Sequence, residues 1–330
     1  MRTIALAWLL AWGSAGTSQD VTIKLGTLAP EGSAWHNILR DMAEEWKTAT
    51  GGKVAFRIYP GGVAGDEPFM VKKMRNRQLQ AAALTGVGLA EIAPEVMAVQ
   101  LPMLVRSYEE LDYVMERMAP KLEAALHAKG YTVLNWGDAG WVTFFSQTPV
   151  ARLADLRTVK LFVWASSTTE VGVWKDAGVT PVPLEATEIH PGLKSGLINA
   201  FSSTALAALS FQWFGSAKHM TDLRWAPLIG ATVISNDAWA KIPEALKPAL
   251  LKAAKETGKK LKDDTRKLGD EAVEIMRKHG LVVVPVPEDA RKEWEEQARA
   301  AYPKIMGKSI PAETVAEIER LRNEFRASRK

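Results

Sequence analysis

The chain has 330 residues, a formal net charge of +4 and no cysteine. Its 42 basic residues are interleaved with 38 acidic ones, a pattern typical of solvated helix faces that excludes the basic stripe of a nucleic-acid-binding protein. The lack of cysteine excludes disulfides, thiolate chemistry and cysteine-ligated metals, and the scattered histidines predict no zinc site. The length exceeds that of most single domains and predicts two lobes.

The first residues have the layout of a secretory signal peptide. Arg2 supplies a positive start, Ile4–Trp12 an apolar run, and Gly13–Ala15 a region of small residues. The apolar run is too short to span a bilayer, which needs about 20 such residues. We predict that residues 1–18 are a signal peptide and that the exported protein is periplasmic and not membrane-embedded.

Alternating strand and helix patterns follow this segment. Apolar alternation predicts strands at 21–25 and 53–59, and a short apolar run predicts a third strand at 79–84. Helical spacing of apolar residues predicts two intervening helices, which begin near Ser33 and Asp66. The β-α-β-α-β order is typical of a mostly parallel sheet flanked by helices.

The rest of the chain predicts a second series of the same kind. The predicted helices lie at 107–118, 119–129, 167–177, 186–195 and 243–278, and further helices run to Lys330. The predicted strands lie at 132–136, 141–146, 159–164, 179–183, 197–201, 231–235 and 281–286. A break at 137–140 separates the two series, so we expect the chain to cross between lobes near 138–141 and to return near 228–231.

These patterns predict an α/β fold of two lobes, each a mostly parallel sheet flanked by helices. Lobe I is predicted to comprise residues 19–139 plus about 229–279. Lobe II is predicted to comprise residues 140–228 plus about 280–330, which include the C-terminal helices. In open α/β sheets, ligands bind beyond the carboxyl ends of the strands, so the cleft between the lobes is the expected binding site.

A family resemblance begins at the segment YPGGVAGDE, residues 59–67, which lies between a predicted strand and a predicted helix. With the later segments AAALTGVGL (81–89), VQLPMLVRSYEEL (99–111) and AGVTPVPLEATEIHPGLKSGLINAF (177–201), it resembles the DctP-type receptors of tripartite ATP-independent periplasmic (TRAP) transporters. The resemblance implies a type II-like periplasmic binding protein with crossing strands, a long bridging helix and hinge closure. It also implies a small-molecule ligand and the TRAP membrane subunits as partners.

Two departures from the family pattern concern the ligand. Family members that bind organic acids carry a carboxylate-binding arginine in a K-I-R-V segment, and the matching segment Lys160–Val163 has Phe162 at that position. A second arginine is common in a G-x-R pattern, where this chain has Gly140-Trp141-Val142. The chain therefore lacks the arginine that would donate two parallel hydrogen bonds to a ligand carboxylate. We expect instead a ligand with an apolar or aromatic body. Arg106, Lys160, Arg224 or a helix N-terminus could still meet a charged ligand.

The predicted ligand-binding residues are mostly aromatic. They are Trp35, Thr85, Gly86, Trp141, Phe162, Trp164, Phe201, Ser203 and Trp213. The aromatic rings would stack on the ligand, while Ser203 and Thr85 would fix its polar edge. Strand alternation assigns Phe162 and Trp164 to one face of their strand. The alternative interpretation is that these aromatic side chains form the core of a lobe.

The sequence gives less support to other functions, namely cofactor binding, catalysis and sensing. Thr85–Gly88 resembles half of a dinucleotide-binding fingerprint, but Glu91 occupies the third glycine position, so we expect no cofactor. A secreted α/β enzyme would need a nucleophile–base pair or a metal cluster, and the sequence predicts neither. A sensory protein that presents its ligand to a receptor kinase stays an alternative to a transport receptor.

Overall fold

The structure is a computed structural model that describes residues 21–306 and 310–329. The predicted signal peptide, residues 1–18, lies outside the described residues. The strands are β1 (Val21–Thr27), β2 (Val54–Tyr59), β3 (Ala81–Thr85), β4 (Tyr131–Ser146), β5 (Lys160–Trp164), β6 (Thr180–Leu184), β7 (Ala200–Thr204), β8 (His219–Thr221), β9 (Ala226–Ser235) and β10 (Val282–Val284).

Helices connect most of these strands. They are α1 (Ala34–Ala49), α2 (Glu67–Arg75), α3 (Gly86–Ala90), α4 (Tyr108–Ala128), α5 (Leu153–Leu156), α6 (Thr168–Asp176), α7 (Ile189–Ser195), α8 (Ala205–Ser210), α9 (Asn236–Trp239), α10 (Lys247–Lys278), α11 (Glu288–Ile305) and α12 (Ala312–Ser328). Turns of 3-10 helix lie at Pro94–Gln100, Ala186–Glu188 and Trp213–Gly215.

The strands form one sheet in the order β2-β1-β3-β9-β4-β7-β5-β6, and β8 and β10 extend it beside β4. β1 is parallel to both β2 and β3, and β5 is parallel to both β6 and β7. β9 and β4 run antiparallel to each other between these two sets. We call β1, β2, β3 and their helices the β1 side, and β5, β6, β7 and their helices the β5 side. The mixed α/β architecture confirms the predicted fold class.

The predicted break at 137–140 is wrong, because β4 continues through it to Ser146. Gly140 has a φ of +98°, which is readily adopted by glycine, and the pairing with β9 shifts register between Asp138 and Trp141. The glycine and aspartate signals therefore mark a β-bulge inside a long strand rather than a strand end. β4 crosses from the β1 side to the β5 side at this bulge, and β9 returns beside it. The predicted lobe boundaries stay a prediction.

The two helices predicted at 107–118 and 119–129 are one helix, α4. Pro120 lies inside α4, but buried Val114, Met118 and Leu122 continue the same apolar face past it. Packing of this face against the core therefore outweighs the helix-breaking tendency of the proline. The helix predicted at 186–195 begins as a 3-10 turn and becomes α-helical only at Ile189.

The long helix α10 connects the two sides of the molecule. Near its start, Leu250 and Ala254 are buried in the core cluster that contains Ile23 of β1. Near its end, Met276 is buried in the cluster that contains Phe201 of β7. Between these points α10 crosses β4 at close range, because a Cβ atom on Gly258 would lie 2.6 Å from the carbonyl oxygen of Trp136.

A partly buried ion-pair network fixes α10 at the bulge of β4. Arg266 donates to Asp138 Oδ2 at 2.8 and 3.1 Å and to the two carboxylate oxygens of Asp112 in α4 at 2.7 and 2.8 Å. Its guanidinium carbon lies 4.1 Å from the ring centroid of Tyr108. Burial raises the pKa of Asp138, and Arg266 opposes that rise by stabilising the charged form. The network joins the long helix, the crossing strand and α4.

We predict opposite effects of alanine at two glycines of α10. Gly258→Ala should lower the free energy of unfolding by about 1–3 kcal/mol, because the new methyl group overlaps the β4 backbone. Gly269→Ala is the matched control: a Cβ there meets no atom within 4 Å, so alanine should stabilise by about 0.5–1 kcal/mol. Urea unfolding of both variants measures the difference, and equal effects would contradict the close crossing.

We also predict that Arg266→Met lowers the free energy of unfolding by about 3–5 kcal/mol, because the buried carboxylate of Asp138 loses its counter-charge. The control is Lys267→Met, which removes an exposed pair with Glu271 and should cost less than about 1 kcal/mol. Adding Asp138→Asn to Arg266→Met should restore part of the loss. A single Arg266→Met variant as stable as the control would contradict the role of the network.

Candidate ligand-binding cleft

A cavity of about 850 Å³ lies where β4 and β9 cross between the two sides. From the β1 side, Leu28 after β1 and Thr85 at the end of β3 line it. From the β5 side, Trp164 at the end of β5 and Ser203 of β7 line it. The cavity therefore lies at the carboxyl ends of parallel strands from both sides, which is the usual ligand position in open α/β sheets.

The β1-side wall is held by a buried carboxylate. Glu67 accepts hydrogen bonds from the backbone N–H of Thr85 at 2.9 Å, from its hydroxyl at 2.7 Å and from the backbone N–H of Gly88 at 2.8 Å. Burial raises the pKa of Glu67 to about 7, although all three donors favour its charged form. Gly86 belongs to the same turn, and a Cβ atom there would lie 1.9 Å from Gln100 Nε2. Glycine thus makes room for Gln100, which itself lines the cavity.

The β5-side wall is aromatic. Phe162 and Trp164 meet edge to face, with ring centroids 5.9 Å apart, so the predicted shared face of these two residues is confirmed. Trp174 of α6 and Trp225 before β9 also line the cavity, and their ring centroids lie 5.7 Å apart. Trp213 stacks on Phe211 at 4.5 Å and completes this wall. These faces offer apolar contact and π-surface to a ligand.

The structure brings six of the nine predicted ligand-binding residues together at the cavity. They are Trp35, Thr85, Phe162, Trp164, Ser203 and Trp213. The other three are not among the lining residues: Gly86 lies behind Thr85, Trp141 packs on Tyr108 at 5.3 Å, and Phe201 stacks on Phe145 at 5.0 Å inside the core. Phe162 has a relative exposure of only 2%, so it presents little of its ring to the cavity.

Both positions at which the family resemblance implies an arginine border the cavity, although Phe162 exposes far less of its side chain than half-buried Val142. Phe162 and Val142 line it from β5 and β4. No lysine or arginine within residues 21–306 and 310–329 belongs to the lining. The three cations considered from the sequence have other contacts: Arg106 pairs with Glu295 at 3.1 Å, Lys160 donates to the Gly196 carbonyl at 3.2 Å, and Arg224 lies over the Trp141 ring.

Sequence reasoning missed the acidic residues of the lining, which are Glu67, Glu91, Asp138 and Glu170. Asp138 is paired with Arg266 and Glu67 holds the turn after β3, as described above. Glu170 lies in the first turn of α6, where Trp174 Nε1 donates to its Oε1 at 3.3 Å. The sequence Ser167-Thr168-Thr169-Glu170 has the S-x-x-E spacing of a capping box, which could have pointed to Glu170 as a helix-start residue but not to the cavity.

The two sides touch directly at the rim of the cleft. Asp66, at the start of α2, accepts hydrogen bonds from the backbone N–H of Glu67 at 2.7 Å and from that of Ala186 across the cleft at 2.8 Å. Gly62 comes so close to the same turn that a Cβ atom there would lie 2.9 Å from Thr187 Cγ2. The YPGG turn and the residues after it thus bring the β1 side against the β5 side.

Two further observations concern the described part of the chain. It contains no group of three or more histidine, aspartate and glutamate side chains that could hold a metal ion. None of its helices is long and apolar enough to cross a membrane.

Known proteins share this architecture. The family model described as bacterial extracellular solute-binding protein, family 7 (DctP), matches residues 25–309. A solute-binding protein of Roseobacter denitrificans is 26% identical over 249 residues, which are 73% of this chain and 74% of the relative. The C4-dicarboxylate-binding periplasmic protein DctP of Rhodobacter capsulatus is 22% identical and covers 96% of this chain and 95% of its own length.

The solved structure of the sugar acid binding protein DctPAm of Advenella mimigardefordensis, in complex with galactonate, matches with a TM-score of 0.87 at 17% identity. The match covers 93% of this chain and 99% of that one and confirms the two-lobed fold. Receptors of this kind are periplasmic, bind small molecules and work with membrane subunits. Because the family model matches most of the chain, the protein belongs to the bacterial extracellular solute-binding proteins of family 7, the DctP-type TRAP receptors.

Proposed function

We propose that this protein is the periplasmic receptor of a TRAP-type secondary transporter and that it captures one small organic molecule in the cleft. The observation that supports this most is the position of the cavity, which is lined from both sides where β4 and β9 cross. A ligand that touches both sides stabilises the closed arrangement over the open one, because it loses contacts when they separate. The membrane subunits would then meet the closed, ligand-bound form of the receptor.

The ligand we propose has a largely apolar or aromatic body. Half-buried Trp164 supplies a flat apolar face, while Trp174 and Trp225 line the same wall as largely buried rings that are 4% and 8% exposed. Thr85, Gln100 and Ser203 supply hydrogen-bonding groups at the edges of the cavity. The DctP protein of Rhodobacter capsulatus is named for a C4-dicarboxylate, and the similar solved structure holds galactonate. Both are organic acids, whereas this cleft has Phe162 and Val142 where the family resemblance implies arginines.

Delivery to a transporter requires export. We propose that residues 1–18 direct the chain to the periplasm and are then removed, in keeping with the signal-peptide layout of the sequence. The energy for transport would come from the membrane partner.

We predict that purified protein is stabilised by ligands with an apolar or aromatic body and not by simple C4-dicarboxylates. A ligand held at 100 times its dissociation constant should add about 2.7 kcal/mol to the free energy of unfolding, which raises the thermal midpoint. A thermal-shift screen should cover dicarboxylates, sugar acids, aromatic acids, amines and neutral metabolites. A response to dicarboxylates alone would contradict the proposed ligand class, and no response to any compound would contradict the receptor function.

We also predict that arginine at the two family positions creates a carboxylate site. Val142→Arg, alone and with Phe162→Arg, should make succinate or a sugar acid raise the thermal midpoint, because a guanidinium fork then faces the cavity. Val142→Arg is the primary variant, since Val142 is half-buried whereas Phe162 packs into the core. The controls are Val142→Met and Phe162→Leu, which alter the same positions without charge. A folded arginine variant with the ligand profile of its control would show that these positions do not face bound ligand.

A further inference from the structure

Three helical turns begin at the cavity, and in each the protein already supplies a carboxylate. The turn at the start of α3 donates the backbone N–H groups of Thr85 and Gly88 to Glu67. The turn at Ala186 donates its first N–H to Asp66, and Glu188 accepts from the N–H of Glu185. The N–H groups of Thr85, Gly88 and Ala186 at these two turns are therefore occupied by internal carboxylates and are not free to bind an anionic ligand.

The third turn, at the start of α6, carries Glu170. The residues from Ser166 to Glu170 line the cavity, so the positive end of this helix faces the space that a ligand would fill. An anion approaching it would meet the carboxylate of Glu170 at the same place. Among the described residues, none forms an ion pair with Glu170, whose hydrogen-bond donors are the Trp174 indole at 3.3 Å and the Ser167 hydroxyl. Burial raises the pKa of Glu170, and no cation among the described residues pairs with it to offset this cost of desolvation.

Among the described residues, the lining contains carboxylates but no lysine or arginine. Glu91 and Glu170 are lining carboxylates without an ion-pair partner in the described chain, whereas Asp138 is paired with Arg266. The aromatic wall adds to the same preference, because the half-buried indole ring of Trp164 has an electron-rich face that attracts organic cations. Negative charge and an indole face thus both border the cavity near the start of α6.

From this arrangement we infer that the ligand is an organic cation, with an ammonium group on its apolar or aromatic body, and that Glu170 and the neighbouring indole rings bind that group. The inference rests on the proposed receptor function and specifies its substrate class. The ligand's ammonium group would supply the counter-charge that Glu170 lacks in the protein. A purely structural role for Glu170, stabilising the first turn of α6, would give no preference between cationic and anionic ligands of the same shape.

The experiment compares ligands that share a body and differ in charge. The first set is tryptamine, indole-3-acetamide and indole-3-acetate, and the second is cyclohexylmethylammonium, cyclohexanecarboxamide and cyclohexanecarboxylate. Dissociation constants are measured by calorimetry for the unaltered protein, for Glu170→Gln and for Asp176→Asn. Asp176 is the matched control because it is an exposed carboxylate at the other end of α6, paired with Lys304 at 2.6 Å. Glu170→Asp is a fourth variant that keeps the charge and withdraws it by one methylene group.

We expect the ammonium member of at least one set to bind at least about tenfold more tightly than its carboxylate partner. Glu170→Gln should remove most of that preference, Glu170→Asp should reduce it, and Asp176→Asn should leave it unchanged. Tighter binding of the carboxylate members, or an ammonium preference that survives in folded Glu170→Gln, would overturn the inference while the receptor function stands. Silence of all six probes would also overturn it, and the broad thermal-shift screen would then decide whether the receptor function falls as well.

Discussion

The contact between Arg266 and Asp138 determines where the two sides of this molecule meet. Asp138 lies in the bulge at which β4 passes from one side to the other, and its buried carboxylate requires a counter-charge. Arg266 of α10 supplies that charge. The position of α10 along β4 is set by Gly258, where the absence of a side chain lets the helix backbone approach the strand closely. The cavity walls are built on either side of this crossing, so their separation depends on the same contact.

The buried carboxylates Asp66 and Glu67 stabilise the walls of the cleft and also occupy backbone N–H groups that could bind an anion. Glu67 orders the turn after β3, and Asp66 joins the start of α2 to Ala186 on the opposite side. Each uses backbone N–H groups that would otherwise be free at the start of a helical turn. These groups stabilise the walls of the cleft, and as a consequence they are no longer available to an anionic ligand.

The sequence allowed the order of strands and helices to be predicted, because apolar periodicity follows burial. It did not distinguish the bulge of β4 from a strand end, since Gly140 and Asp138 are typical of both. Alternation placed Phe162 and Trp164 on one face, but it could not tell a face that meets the cavity from one that meets the core. Phe201 is an example, because its ring packs against Phe145 and Trp213. These contacts join segments that are distant in sequence, so alternation within one strand could not predict them.

Glu170 was beyond local sequence reasoning for a related reason. Its spacing from Ser167 indicates a helix start, and only the assembled fold shows that this helix start faces a cavity without lysine or arginine among the described residues. Two features of the cavity therefore act together. Phe162 and Val142 stand where the family resemblance implies arginines, and Glu170 places a carboxylate at the cavity. An arginine in the same cavity could pair with the carboxylate or bind an acid, whereas the described lining has none, and the cationic ligand that we infer would itself supply the counter-charge.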